Sequence, residues 1–213
     1  MTTSGPGALL DTLREARRLG FLGPGPLEPQ IEHALGFADA LDTVPGAPAP
    51  GRAVDLGSGG GLPGLVLAGR WPGTALVLVE AGARRSAFLA GALARLGLEG
   101  RVSVVRERAE VAGRDPALRG HFDLVVSRSF GPPSVTAECA APFLRPGGVL
   151  VASGPPGPAG HAERWPPEGL AQLGLGAARQ WSGAFSYEVV VQLEACGDRF
   201  PRRTGIPAKR PLF

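Results

Sequence analysis

The sequence predicts a doubly wound α/β fold, in which helices cover both faces of a mostly parallel sheet. From residue 52 onward, short apolar runs typical of buried strands alternate with segments of helical periodicity. Parallel strands joined by right-handed crossovers are the usual result of that alternation. Two apolar runs near the C-terminus are separated by little more than a turn, which favours an antiparallel hairpin at the end of the sheet.

Two amphipathic helices are predicted before the alternating region. Residues 7–19 and 28–42 repeat apolar side chains at helical spacing, with a Gly/Pro-rich break between them. Residues 43–51 form a linker, because each proline lacks a backbone donor and restricts its predecessor. The expected parts are a helical N-terminal extension with its linker (1–50), an α/β domain (51–198) and a basic C-terminal tail (199–213).

The alternating region supplies the sheet and its covering helices. The predicted strands begin with RAVDLG at residue 52, TALVLVE at 74, RVSVV at 101, HFDLVVS at 121 and GGVLVAS at 147. The predicted helices are 63–71, 84–97, 132–144 and a weak one over 165–174. Residues 176–182 and 185–195 form the predicted hairpin. Gly97 is expected to end its helix, since glycine is the preferred residue just after a helix.

Composition excludes several classes of protein. The chain has 213 residues, 44% of them hydrophobic, which suits one domain with an appendage. No run approaches the roughly 18 apolar residues of a membrane helix, and no secretion signal is evident, so we expect a cytoplasmic protein without a membrane partner. Cys139 and Cys196 lack the spacing of metal ligands, so neither a metal site nor a disulfide is predicted.

The positive charge is concentrated in the tail. The formal net charge is +3, yet the last fifteen residues carry five basic residues and no acid, which leaves −2 for residues 1–198. A local basic patch of this kind is typical of a protein that binds a polyanion.

The stretch DLGSGGGLPG, residues 55–64, follows the first strand and opens the next helix. A phosphate-binding loop would need a lysine and a hydroxyl where Leu62 and Pro63 stand. A dinucleotide fingerprint fits imperfectly, because Leu62 occupies the position of its third glycine. What remains is Asp55 followed by Gly57, Gly59 and Gly61 at alternate positions. That pattern suits S-adenosylmethionine, a ligand without phosphates; a turn that binds nothing is the other alternative.

Acidic residues follow the second and third strands, at the edge where ligands bind in open α/β sheets. Glu80 ends the second strand, where a carboxylate can accept both ribose hydroxyls, although dinucleotide sites use an acid there too. Glu110 follows the third strand, where adenine would lie; an acid at a helix start is the alternative interpretation. We therefore predict both as cofactor ligands.

Arg128 follows the fourth strand at the same edge. Methyl transfer from a sulfonium mainly requires donor and acceptor to be aligned. No histidine or tyrosine is expected at this edge, because the three histidines are scattered along the chain and Tyr187 lies in the predicted hairpin. That absence favours an acceptor with a free lone pair, such as guanine N7, that needs no base. Arg128 is predicted as the catalytic residue, hydrogen-bonded to guanine O6 or to a backbone phosphate; an ordinary surface charge is the alternative interpretation.

Several motifs together resemble one family. DLGSGGGLPGL, VEAGARRSAFL, RAE, SRSF and FPRRTGIPAKRPL are similar to the bacterial small-subunit ribosomal RNA guanine-N7 methyltransferases, the RsmG or GidB type. The resemblance implies a Rossmann-like class I methyltransferase fold and S-adenosylmethionine as cofactor. It also implies 16S rRNA, or a small-subunit assembly intermediate, as partner of a monomer.

The resemblance assigns roles to residues at matching positions. Those expected at the cofactor or reaction centre are Gly57, Leu62, Ala109, Glu110 and Arg128. Those expected to contact RNA are Arg85, Arg108, Arg202, Arg203 and Lys209, because phosphate contacts from basic side chains supply affinity.

Three positions depart from the family pattern, all on the expected substrate side. Gly36 and Phe37 stand where the family has Asp-Ser, and Ser153 replaces a lysine after the fifth strand. A divergent paralogue acting on another RNA or a small molecule therefore stays open, as does a non-catalytic RNA-binding protein. The sequence leaves undecided whether residues 1–50 act as a lid.

Overall fold

A seven-stranded sheet forms the centre of the computed structural model, which describes residues 6–155 and 161–213. The strands are β1 (Arg52–Leu56), β2 (Ala75–Val79), β3 (Val102–Val105), β4 (Phe122–Ser127), β5 (Leu144–Ser153), β6 (Arg179–Ser182) and β7 (Ser186–Val191). Their order across the sheet is β3-β2-β1-β4-β5-β7-β6. The first five strands are parallel, and β7 is antiparallel to both β5 and β6. The predicted doubly wound sheet with a C-terminal hairpin is confirmed.

Helices cover both faces of the sheet. They are α1 (Pro6–Arg18), α2 (Leu27–Asp42), α3 (Gly64–Arg70), α4 (Ala83–Leu96), α5 (Ala109–Ala112), α6 (Pro133–Ala140), α7 (His161–Arg164), α8 (Pro167–Ala171) and α9 (Ile206–Lys209). Along β4, Leu124 and Val126 face one hydrophobic core while Val125 faces the other. Successive side chains of a strand point to opposite faces, so a strand buried on both faces needs a continuous apolar sequence.

Some boundaries differ from the prediction. The helix expected over 132–144 ends at Ala140, and a 3₁₀ turn over Ala141–Phe143 leads directly into β5. Pro142 has no N–H to continue an α-helix, and β5 therefore begins at Leu144, earlier than predicted. Gly97 ends α4 in a left-handed conformation, with φ 64°, as expected.

The outer segments pack on the central domain. Helix α2 contacts β5 and β7, and α9 of the predicted tail contacts α6. The division at residues 50 and 198 stays a prediction.

Gly36 and Phe37 make the interface between α2 and the hairpin. The ring of Tyr187, fully buried on β7, lies directly against Gly36, where an added Cβ would be 2.7 Å from the Tyr187 Cζ atom. The Tyr187 hydroxyl donates to the carbonyl of His33 at 2.6 Å, and the rings of Phe37 and Tyr187 are 4.9 Å apart. The two departures from the family pattern thus have a packing role in this chain.

We expect Gly36→Ala to lower the free energy of unfolding by about 2 kcal/mol, because the new methyl group overpacks the contact with Tyr187. Urea denaturation measures the change. The matched control is Gly69→Ala in α3, where the added Cβ meets nothing within 4 Å and the better helix former is expected to stabilise slightly. Equal effects of the two substitutions would contradict the packing role of Gly36.

Candidate active site

A cavity of about 580 Å³ opens at the carboxyl ends of the parallel strands. It lies where the strand order reverses between β1 and β4, the usual ligand position in open α/β sheets. Its lining includes the predicted residues Gly57, Gly59, Leu62, Glu80, Arg85, Arg108, Ala109, Glu110 and Arg128. The parallel sheet therefore brings most of the predicted site together.

The glycine turn between β1 and α3 forms the floor of this cavity. Gly57, Gly59 and Gly61 have φ values of 71°, 55° and 98°, a region that side chains disfavour. At Gly60 a Cβ would lie 2.9 Å from the carbonyl oxygen of Phe21. The bare turn thus allows the loop between α1 and α2 to lie directly on it.

Asp55 and Gly61, which are predicted as cofactor-binding residues, lie outside the cavity lining, and their cofactor role stays a prediction. The Asp55 side chain is fully buried beneath the turn, and its Oδ2 accepts the backbone N–H of Gly64 at 2.9 Å. At Gly61 an added Cβ would collide with the Leu65 side chain, so this glycine allows α3 to pack beneath the turn. Both residues shape the turn.

Burial controls the charge of Asp55. Desolvation raises the pKa of its carboxyl to about 7, against the hydrogen bond from Gly64, which lowers the pKa. The nearby Arg128 guanidinium also lowers it and the Glu80 carboxylate raises it, both by less than burial does. Asp55 Oδ1 has no hydrogen-bond partner among residues 6–155 and 161–213.

Glu80 lies in the cavity wall at the end of β2. Its Oε1 accepts the N–H of Gly82 at 2.6 Å and the Arg85 guanidinium at 2.9 Å, and its Oε2 accepts the N–H of Gly59 at 3.0 Å. Burial raises the pKa of this carboxyl, but the hydrogen bonds outweigh burial and the net pKa is lowered. A carboxylate has about four lone-pair positions, so Oε2 retains one for a hydroxyl.

Glu110 occupies the wall after β3, in the short helix α5. Its Oε1 accepts the Arg108 guanidinium and the backbone N–H of Gly205, both at 3.0 Å. Burial raises its pKa, but these hydrogen bonds keep the net pKa below its usual value. The bond to Gly205 links the cavity wall to a residue 95 positions later, a contact that no local pattern indicates.

Arg128 projects from the end of β4 into the cavity wall. Its Nη1 is buried and has no hydrogen-bond partner within the described part of the chain. Burial lowers its pKa, against Tyr187 and Asp55, which raise it, and an arginine stays charged in proteins. Arg128 also helps burial to lower the pKa of His33 to about 4, so a histidine and a tyrosine lie nearer to Arg128 than expected. The next residue, Ser129, has φ 52°, which is uncommon for a residue other than glycine and turns the chain at the cavity edge.

The predicted RNA-binding residues lie in different environments. Arg85 and Arg108 line the cavity with half-exposed side chains. Arg203 and Lys209 are exposed on the C-terminal segment. The Arg202 guanidinium instead binds the buried Glu138 carboxylate at 2.6 Å. The role of all five residues in RNA binding stays a prediction.

Sequence reasoning missed part of the cavity wall. The additional lining residues include Phe21, Leu22, Gln30, Phe130, Cys139 and Ala208. Phe21 and Leu22 stand in a Gly/Pro-rich break, which predicted only the end of a helix. Their position makes the N-terminal extension part of the site.

Residues 6–155 and 161–213 contain neither a metal-binding cluster nor a membrane-spanning helix. Within them, no cluster of three or more His, Cys, Asp or Glu side chains has the arrangement of a metal site. No helix there is long and apolar enough to cross a membrane.

Comparison with protein families identifies the relationship of the chain. The model of the GidB family, described as rRNA small subunit methyltransferase G, matches residues 31–154, more than half of the chain. The chain belongs to the GidB family. The predicted family is thereby confirmed, as is the prediction of a methyltransferase that uses S-adenosylmethionine.

Two curated relatives of this GidB chain are named ribosomal RNA small subunit methyltransferase G. The relative from Prochlorococcus marinus (strain MIT 9313) is 40% identical over 177 residues, which are 76% of this chain and 68% of the relative. The relative from Moorella thermoacetica is 36% identical over 180 residues, which are 81% and 72% of the two chains.

Solved structures similar to this GidB chain share its fold at low sequence identity. The O-methyltransferase from Bacillus cereus, in complex with SAH, has a TM-score of 0.61 and 16% identity, covering 89% of this chain and 92% of that one. A putative O-methyltransferase from Klebsiella pneumoniae has a TM-score of 0.60 and 18% identity, covering 89% and 91%. They confirm the class I methyltransferase fold.

We expect Asp55→Asn to stabilise the protein increasingly as pH rises from 5 to 8. The folded carboxyl has a pKa of about 7 and the unfolded one about 4, so folded wild type holds a proton that the unfolded chain has lost. Stability of the wild type therefore falls across this window. Because asparagine keeps an acceptor for Gly64 without the buried charge, the difference in unfolding free energy is expected to grow by about 2–4 kcal/mol.

The control for this experiment is Asp123→Asn. Burial raises the pKa of Asp123, but hydrogen bonds from the backbone of Arg52 and from Arg145 outweigh it and lower the net pKa. The change in unfolding free energy caused by Asp123→Asn is therefore expected to be constant between pH 5 and 8. A constant difference for Asp55→Asn as well, in urea denaturation at each pH, would show that Asp55 is charged throughout.

Proposed function

We propose that this protein transfers a methyl group from S-adenosylmethionine to N7 of a guanine in small-subunit ribosomal RNA. The observation that carries the proposal is the cavity at the carboxyl edge of the sheet, where the glycine turn, Glu80 and Arg128 converge in a chain of the GidB family. The names of the curated relatives support rRNA as the substrate.

The cavity residues fit the proposed cofactor. Glu80 Oε2, which keeps one free lone-pair position, is placed to accept a ribose hydroxyl. Glu110 and the backbone at Ala109 line the wall after β3 and would read the adenine edge. Gly59 faces the cavity, with no atom closer than 3.7 Å to an added Cβ, so the ligand itself would contact the turn.

Positioning is the chemical task that remains for the protein. The cofactor supplies a methyl group on a cationic sulfonium, and guanine N7 attacks its carbon as the carbon–sulfur bond breaks and the electron pair goes to sulfur. Because N7 has a free lone pair, no proton has to be removed. Arg128 would donate to guanine O6 beside N7, which holds the ring in line with the methyl group.

Basic side chains in the cavity wall and on the C-terminal segment are the groups proposed to contact an RNA backbone, and the two in the wall are also paired with Glu80 and Glu110. Arg85 and Arg108 have half-exposed side chains at the cavity wall. Arg203 and Lys209 are exposed, and both are close in sequence to Ala208, which lines the cavity. Phosphate contacts supply affinity without sequence choice, and they make binding weaken steeply with salt. We propose that the protein acts as a cytoplasmic monomer on 16S rRNA or on a small-subunit assembly intermediate.

Mass spectrometry of 16S rRNA nucleosides tests the proposed function. In a strain lacking the gene we expect one 7-methylguanosine to be lost, and a plasmid copy of the gene to restore it. Unchanged 7-methylguanosine would contradict the proposed substrate. If isothermal titration calorimetry of the folded protein also detected no S-adenosylhomocysteine binding, a non-catalytic RNA-binding protein would replace the proposal.

We expect Arg128→Ala to lower the single-turnover rate constant of rRNA methylation by about 10²-fold, because the acceptor ring loses a charged donor that orients it. Single-turnover assays with excess enzyme measure the change. Arg145→Ala is the matched control, since Arg145 pairs with Asp123 outside the cavity and its loss is expected to leave turnover within twofold. Wild-type turnover of the Arg128 variant would refute its catalytic role.

A further inference from the structure

The C-terminal segment, residues 199–213, returns across α6 to the cavity. Helix α9 contacts α6, and its residue Ala208 lines the cavity together with Arg108 and Glu110. The segment thus forms part of the cavity wall although it contains no strand and only a four-residue helix. Its position must therefore depend on contacts made by other elements.

A buried carboxylate of α6 holds the start of this segment. Glu138 is fully buried and lies outside the cavity lining. It accepts the backbone N–H of Arg202 at 2.8 Å, and the Arg202 guanidinium binds both of its oxygens at 2.6–3.1 Å. Bonds to both the backbone and the side chain fix the direction of the chain at this residue, since a bidentate pair restricts orientation as well as distance.

The contact with Glu110 brings the segment into the cavity wall. The Gly205 N–H donates to Glu110 Oε1 at 3.0 Å, three residues after the pair with Glu138. Gly205 has φ 80° and begins α9, which carries Ala208. Glu110 therefore connects the C-terminal segment with the wall that follows β3.

Side chains from other elements also bind the chain before Arg202 and after Gly205. Arg119 donates to the carbonyl oxygens of Phe200 at 2.8 Å and Cys196 at 2.7 Å. The Ser134 hydroxyl on α6 accepts the Leu212 N–H at 2.9 Å. The backbone of the segment is therefore satisfied by side chains from elsewhere, which substitutes for the regular structure that it lacks.

We propose that Glu138 and Arg202 are positioning residues of the cofactor site. By fixing the C-terminal segment they keep Gly205 on Glu110 and Ala208 in the cavity wall, so cofactor affinity depends on a carboxylate that does not line the cavity. The inference rests on the proposed function, because it assigns the cofactor to this cavity. Since coupling between sites is reciprocal, a bound cofactor in turn stabilises the segment.

Two variants loosen the segment in independent ways. Glu138→Gln removes the charge and presents an amide N–H to the Arg202 guanidinium. Gly205→Val leaves the domain core unchanged, because an added Cβ there meets nothing within 4 Å, but φ 80° is strongly disfavoured for a β-branched residue. The second variant keeps the test valid if the first fails to fold. Asp123→Asn is the matched control, since it breaks a similar ion pair outside the cavity.

The readouts separate positioning from a general loss of stability. Calorimetry with S-adenosylhomocysteine is expected to give at least tenfold weaker binding in Glu138→Gln and Gly205→Val and no change in Asp123→Asn. In methylation assays, the KM for S-adenosylmethionine rises at least tenfold while kcat at saturation stays within threefold. Hydrogen exchange at the amides of Arg202 and Gly205 is faster in both variants, and S-adenosylhomocysteine slows it in the wild type.

Each other outcome overturns the inference in a distinguishable way. Wild-type affinity in both variants, with faster exchange in the segment, would show that its position does not matter to the cofactor. A fall in kcat without a rise in KM would give Glu138 a role other than cofactor positioning. If the wild-type protein itself bound no S-adenosylhomocysteine, the proposed function would fail and this inference with it.

Discussion

The hydrogen bonds of two buried carboxyl groups to the glycine turn are the constraint on which the site depends. Asp55 Oδ2 accepts the N–H of Gly64 on one side of the turn, and Glu80 Oε2 accepts the N–H of Gly59 on the other. A turn that bends this sharply leaves backbone donors without a regular partner, and a buried donor must be satisfied. The two carboxyl groups satisfy these donors at two points and so fix where the cavity floor lies.

The two acids show how far residue type alone can predict a role. Both stand at or near the end of a predicted strand, and both were expected at the cofactor. The structure puts Glu80 in the cavity wall and Asp55 beneath the turn. The difference arises from the direction of each side chain relative to the turn. Strand periodicity predicts which face of the sheet a side chain lies on, but not whether it enters a cavity at the end of the strand.

Much of the fold could be predicted because its information is local. The alternation of apolar runs and helical segments gives parallel strands, and a parallel sheet brings strand ends far apart in sequence to one edge. That rule placed Glu80, Glu110 and Arg128 together. Contacts made by single residues at large separation were not predictable: the ring of Tyr187 on Gly36, and the Gly205 N–H on Glu110, follow from packing that no pattern records.

The basic C-terminal segment illustrates why net charge is a weak guide to function. As a sequence it is a run of positive charges, which favours a polyanion partner. In the structure its arginines face two environments: Arg202 is directed inward to Glu138, whereas Arg203 is exposed. The pair of Arg202 with Glu138 is neutral as a whole, and under the proposal above replacing Arg202 would release the segment as well as remove a positive charge. The proposed RNA contact is therefore better tested at the exposed Arg203 and Lys209, because a loss of binding on replacing Arg202 would not separate phosphate contact from the position of the segment.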